Sequence, residues 1–216
     1  MSSDGDGIPM LQFERDAQEQ GFRLIIGIDE AGRGPLAGPV VASAVALKNF
    51  QFQNKIADSK QLTHQQRESA FPEIMAKAYV GVGIISETVI DTHNILRATF
   101  FAMTRAVTEM ISRLPEDVSG RDDFEKKVLL LVDGNRFESP LPYLCRKIVA
   151  GDSLSLSIAC ASIVAKVTRD RILTEYDKVF PQYGFCRHKG YPTAEHRQAI
   201  KKHGLSPIHR KTFRHE

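Results

Sequence analysis

Three short runs in this chain each hand over to a carboxylate, and that pattern restricts the fold more than any other feature. Leu24–Ile28 leads into Asp29 and Glu30, Val128–Val132 into Asp133-Gly134, and Lys147–Ala150 into Gly151-Asp152. Apolar runs of this length bounded by turn residues read as buried strands. Val40–Leu47 and Tyr79–Ile85 complete a set of five. Thr63–Lys77 reads as a helix capped by Thr63, with apolar Phe71, Ile74 and Met75. Ser86 or Thr88 starts a long helix to about Arg113, with Ile90, Leu96, Phe100, Met103, Val107, Met110 and Ile111 on its buried side. Links among the first three strands suit antiparallel pairing, whereas strand, long helix, strand implies a parallel crossover. The expected class is α/β, a mixed five-stranded sheet flanked by helices.

In parallel α/β sheets ligands collect beyond the carboxyl ends of strands. If the strands bearing them are parallel neighbours, Asp29, Asp133 and Asp152 converge on one edge. Taken singly each acid has a plainer reading. Asp133-Gly134 is an ordinary turn, Asp152 can cap the next helix, and Glu30 can face solvent. Together they would repel unless a cation joined them. Hard oxygen ligands suit Mg²⁺ or Mn²⁺. Four carboxylates, Glu30 included, match two divalent ions, the clamp for in-line phosphodiester hydrolysis.

The Gly32-Arg33-Gly34 stretch after the first strand is either a bare turn or a loop whose N–H groups face a sugar or phosphate. It is no dinucleotide fingerprint. The third glycine is Gly38, and Pro35 and Pro39 spoil a helix start. Ser157–Lys178 reads as a helix whose first turns are nearly all small, which permits close approach to a sheet or ligand.

Charge is uneven. Residues 181–216 hold eight Lys/Arg against Glu195 and Glu216, or +6, which leaves −3 over residues 1–180 and gives the net +3. A basic helical end, Thr193–His203 within it, beside an acidic body suits a polyanion. The division expected is a frayed lead-in with a short helical turn over 1–20, a catalytic core over 21–180 and a basic C-terminal segment over 181–216. At 42% hydrophobic and 25% charged the chain is ordinary globular material. No run approaches a membrane span, and the acidic N-terminus is no signal peptide. Cys145, Cys160 and Cys186 form no CxxC pair. A cytoplasmic, monomeric protein without a membrane role is expected.

The separated motifs, in order, resemble the type 2 ribonuclease H family, bacterial ribonuclease HII. They are Gly27-Ile28-Asp29-Glu30-Ala31-Gly32-Arg33-Gly34-Pro35, Asp58-Ser59-Lys60-Gln61-Leu62, Asp133-Gly134 and Gly151-Asp152. Ser157-Ile158-Ala159-Cys160-Ala161-Ser162-Ile163 follows, with Arg169-Asp170, then His188-Lys189-Gly190-Tyr191-Pro192-Thr193 and Pro207-Ile208-His209-Arg210-Lys211-Thr212-Phe213. The resemblance spans residues 24 to 213. It implies an RNase H-like fold with a C-terminal helical extension. It implies cleavage of the RNA strand of RNA–DNA hybrids, and of duplex DNA 5′ of single embedded ribonucleotides. The metal ligands it implies are Asp29, Glu30, Asp133 and Asp152. Gly32, Arg33 and Gly34 would read the ribose 2′-hydroxyl, Tyr191 would stack on the neighbouring deoxyribose, and Ser59 and Lys60 would contact the nucleic-acid backbone. Asp170 is expected to pair with an arginine on its own helix. Cys160 and Thr212 depart from the family's usual alanine and serine. Two rivals remain at this point. One is the sister ribonuclease HIII, although only about twenty residues precede the first strand, too few for its N-terminal domain. The other is a non-catalytic hybrid-binding module, which would not need four carboxylates.

Overall fold

A computed structural model describes residues 9–120 and 123–215. The lead-in expected over 1–20 is described only from residue 9, and there it is ordered structure. A 3₁₀ turn (Pro9–Leu11) runs into α1 (Gln12–Glu19), which buries Glu14 and Ala17. Strand β1 (Leu24–Ala31) is followed by β2 (Val40–Leu47), α2 (His64–Lys77), β3 (Ala78–Ile85), α3 (Glu87–Ser112) and the short α4 (Glu116–Ser119). Then come β4 (Val128–Asp133), β5 (Leu144–Ile148), α5 (Leu156–Val179), α6 (Phe185–His188) and α7 (Ala194–His203).

The sheet order is β3-β2-β1-β4-β5. β1 pairs antiparallel with β2, and β2 with β3, while β1 with β4 and β4 with β5 are parallel. This is the arrangement the connection lengths require. Two strand ends differ from expectation. β1 continues through Asp29 and Glu30, because β2 still offers Ser43 and Ala42 as partners after the pairing with β4 stops at Ile28 and Val132. β5 is Leu144–Ile148 rather than Lys147–Ala150. Val149 is exposed and Ala150 adopts a left-handed conformation (φ 56°) that turns the chain toward Asp152.

Helix α3 covers one face of the sheet. Ile90, Met103, Val107 and Met110 pack with Ile26, Ile28, Leu130 and Val132. Gly81 and Gly83 of β3 lie directly under it, where an added Cβ would strike the carbonyls of Ala106 and Ala102. The helix is not continuous. Asn94 breaks it (φ 69°), and its Oδ1 accepts from the N–H groups of Leu96 and Arg97, starting the second segment as an N-cap.

Helix α5 covers the other face. Its small first turns, Ser157 to Ala161 among them, are all buried, and they let its backbone touch β1. A Cβ on Gly27 would lie within 2.5 Å of backbone atoms of Ser157 and Ile158. Ser155 caps α5, accepting from Ile158 N–H. Glu14 reaches in from α1 and accepts from the Ser157 N–H (2.9 Å) and from the hydroxyls of Ser155 and Ser157. A carboxylate at a helix N-terminus is favourably placed against its dipole. α2 packs against α5 through Ala70 and Ile74, with Thr63 and Gln66 in a capping box. Met75, expected on the apolar face, is exposed instead.

Candidate active site

The C-terminal ends of β1 and β4, and the turn after β5, bring Asp29, Asp133 and Asp152 together. One carboxylate oxygen from each lies within 4.8 Å of the others. Asp29 and Asp152 are buried. The Asp29 Oδ1 accepts from the Glu30 N–H (2.7 Å), and Asp133 Oδ1 accepts from the Gly151 N–H (2.7 Å), which ties the end of β4 to the turn carrying Asp152. Burial, followed by repulsion from Glu30 and Asp133, raises Asp29 well above the ordinary carboxylate range; the Glu30 N–H and the Ser162 hydroxyl oppose the rise. Burial and then Asp133 raise Asp152. Such a trio of hard oxygens, costly to ionise together, fits a divalent cation, whose charge would reverse the upward shifts.

Glu30 is the neighbour of the cluster rather than part of its tightest group. Burial raises its pKa, and its Oε1 meets the Arg33 guanidinium at 3.3 Å. Lys60 bridges two other acids, with Nζ 3.2 Å from Asp152 Oδ2 and 3.7 Å from Asp58 Oδ1, on a side chain that is largely exposed. Ser59 is buried. Its hydroxyl accepts from Ser162 Oγ (2.7 Å), and its carbonyl accepts from Arg67. It fixes the loop that presents Lys60.

The Gly32–Gly34 loop adjoins Tyr191. A Cβ on Gly34 would sit 4.0 Å from Tyr191 Cε1. Tyr191 is 40% exposed, with Lys166 Nζ 5.7 Å and the Arg169 guanidinium 5.9 Å from its ring centre. Asp170 pairs with Lys166 (2.8 Å), not with an arginine, and stays outside the carboxylate cluster. The hydroxyl retained at Thr212 donates to Asp91 (2.7 Å) and pins the C-terminal segment to α3.

Sequence reasoning missed Ser162 beside Asp29, and it missed Arg169 and Arg210, two fully buried guanidiniums behind the glycine loop. All three stand in the motifs that carry the resemblance, but a serine in a stripe of small residues and arginines in charged stretches do not by type show a role beyond packing or solvated surface. The basic end is also less free than its composition implied. Arg210 is buried and Arg187 is paired with Glu195, while Lys201, Lys202, Lys211 and Arg214 are exposed.

The model of the family "Ribonuclease HII" matches residues 26–216. Ribonuclease HII of Ruminiclostridium cellulolyticum is 52% identical over 205 residues, covering 94% of this chain and 75% of that protein. Among solved structures, ribonuclease H2 from Pyrococcus horikoshii superposes with a TM-score of 0.66 at 25% identity, over 89% of this chain and 95% of the other. The Bst ribonuclease HIII in complex with Mn²⁺ shares the fold, with a TM-score of 0.69 at 16% identity, over all of this chain and 74% of the other. Matched by that family's model over most of its length, and half identical to a ribonuclease HII across it, this chain belongs to the ribonuclease HII family.

Proposed function

We propose that this metal-dependent ribonuclease H of type 2, which cleaves RNA–DNA hybrids, also cuts duplex DNA on the 5′ side of a single embedded ribonucleotide. The observation that carries the proposal is adjacency. The loop able to approach a 2′-hydroxyl follows directly on Asp29 and Glu30, and it adjoins Tyr191: a Cβ on Gly34 would sit 4.0 Å from the ring's Cε1, and the Leu36 N–H donates to Gly190 beside it. The 2′-hydroxyl is the group that distinguishes RNA from DNA, and a flat ring suits a sugar that lacks it. Together the two specify a ribose followed by a deoxyribose, a step that one ribonucleotide already provides.

Asp29, Asp133 and Asp152 would hold the cations, with Glu30 beside them. Two ions, Mg²⁺ or Mn²⁺, balance the four carboxylates; when bound they supply Lewis-acid stabilisation of the phosphoryl oxygens and an acidified water for in-line attack. The products are a 5′-phosphate and a 3′-hydroxyl. The N–H groups of the 32–34 loop hold the 2′-hydroxyl as a handle, so it is not the nucleophile. Arg33 keeps Glu30 in place, and Lys60 on its exposed arm meets a backbone phosphate. The histidines clustered in the C-terminal segment do not offer a metal-free acid–base pair. His188, His196 and His209 are buried, bonded to backbone or to one another. We further propose that the enzyme works as a monomer, in the cytoplasm.

The test is cleavage mapping on duplex DNA carrying one ribonucleotide, with and without chelator. The expected result is a single metal-dependent cut on its 5′ side. Tyr191→Ala should slow that cut by about ten- to a hundredfold, with a smaller effect inside long hybrids, on the scale of an aromatic stacking contact. A requirement for a run of ribonucleotides, or a 2′,3′-cyclic phosphate product, would overturn the proposal.

A further inference from the structure

The carbonyls of the glycine loop are gathered by two guanidiniums with no exposed surface. Arg210 donates to the carbonyls of Gly32 (2.6 Å), Arg33 (3.0 Å), Pro35 (2.8 Å) and Gly38 (2.7 and 2.9 Å). Arg169 donates to Ala37, Pro39 and Lys189, each at 3.0 Å. Neither forms an ion pair with a carboxylate among the described residues. A buried charge is tolerated only when its hydrogen bonds are made, and here backbone oxygens make them.

This arrangement has a geometric consequence. A trans peptide is planar, with its C=O and the next residue's N–H on opposite sides. Drawing the Gly32 and Arg33 carbonyls inward onto Arg210 therefore turns the N–H groups of Arg33 and Gly34 outward. Neither N–H has an acceptor among the described residues. Arg169 does a second job. It bolts the loop, through Ala37 and Pro39, to Lys189, two residues before Tyr191, and it lies behind the Tyr191 ring. The Leu36 N–H donating to Gly190 (2.8 Å) adds a third tie between the same two segments. Gly32 must be glycine for the bolt to fit, since a Cβ there would collide with the Arg169 side chain.

We infer that Arg210 and Arg169 are positioning residues for substrate choice: Arg210 aims the amides that read the ribose, and Arg169 sets their distance from the ring that reads the deoxyribose. This rests on the reading of the loop and Tyr191 given above. Lysine at either position keeps the charge but loses the fork that spans several carbonyls. Gly190→Ala offers an independent perturbation, because its Cβ would lie 2.6 Å from the Ala37 carbonyl and wedge the two segments apart.

The experiment compares kcat and KM on single-ribonucleotide duplex DNA and on a uniform RNA–DNA hybrid, for wild type, Arg210→Lys, Arg169→Lys and Gly190→Ala. Ile74→Val, buried in the core between α2 and α5, serves as a control for lost stability. Rates are taken below each variant's own melting temperature. The positioning variants should lower the junction-to-hybrid ratio of kcat/KM by about tenfold or more, as expected for a recognition group moved by a fraction of an ångström to 1 Å. Ile74→Val should melt lower with its ratio unchanged. If the wild type cuts the junction and the folded arginine variants keep its ratio, the inference is wrong while the reading of the site stands. If an arginine variant does not fold, Gly190→Ala decides alone by the same ratio. A wild type that fails to cut the single-ribonucleotide duplex would overturn the reading of the site itself.

Discussion

Gly27→Ala perturbs the contact on which the site is built. The added Cβ would come within 2.5 Å of backbone atoms of Ser157 and Ile158, where ordinary contact begins near 3.4 Å. Backbone cannot rotate away as a side chain can, so α5 and β1 must separate by about 1 Å. Overpacking of this kind costs about 1–3 kcal/mol. For a chain of this size each kcal/mol lowers the melting temperature by about 2–4 °C, giving an expected drop of roughly 2–12 °C. The functional loss should exceed the stability loss. β1 carries Asp29 two residues beyond Gly27, and α5 carries Ser162, whose hydroxyl lies beside Asp29. A 1 Å misplacement at a reacting centre can cost about a hundredfold. The assay is a thermal melt together with initial cleavage rates on a hybrid, measured 20 °C or so below the variant's midpoint to remove unfolding from the comparison. A variant that melts with the wild type, or one that melts lower yet cleaves at the wild-type rate, would refute the reasoning.

Three further outcomes follow from the same geometry. Removing residues 195–216 would take away His196, His209 and Arg210 from the interior, so the basic end is better probed by Lys201→Ala with Lys202→Ala. If both lysines meet phosphate, the salt dependence of hybrid binding should flatten by up to about 1.8 in slope, and an unchanged slope would make them plain surface. Burial is the main cause holding His196 and His209 at about 4, against 6.5 in an open chain. The unfolded chain therefore binds more protons than the native one between pH 6.5 and 4, and the histidines' contribution is complete above that window and lost as pH falls through it. Denaturant melts across the window should show the decline, and His209→Gln should make it shallower; an identical acid limb in the variant would assign the decline to other groups.

The sheet was readable because its strands are short apolar runs joined by links whose lengths permit few topologies. Asp29, Asp133 and Asp152 were readable because each follows such a run. Where tertiary contacts override local pattern, the reading went astray. Val149 and Ala150 are apolar but lie beyond the strand, because the chain must turn there to deliver Asp152. Asn94 sits within one continuous helical spacing of apolar residues, yet its side chain caps a new segment and breaks the helix. Glu14 stands among charged and amide residues of α1 that give no sign of its burial, which depends on the N-terminus of α5, distant in sequence. Arg210 counts as positive charge in any composition, although its donors are consumed by carbonyls 172 to 178 residues away.

The central claim is that the carboxylate trio performs the hydrolysis, and Asp29→Asn measured in Mg²⁺ addresses it most directly. The amide nearly preserves shape but removes the charge that holds a cation, so turnover on an RNA–DNA hybrid should fall by about a thousandfold or more, equivalent to about 4 kcal/mol of transition-state stabilisation. Hybrid binding, followed in parallel by fluorescence anisotropy, should persist, because one negative charge facing the phosphates has gone. Near-normal turnover in the folded variant would contradict the account.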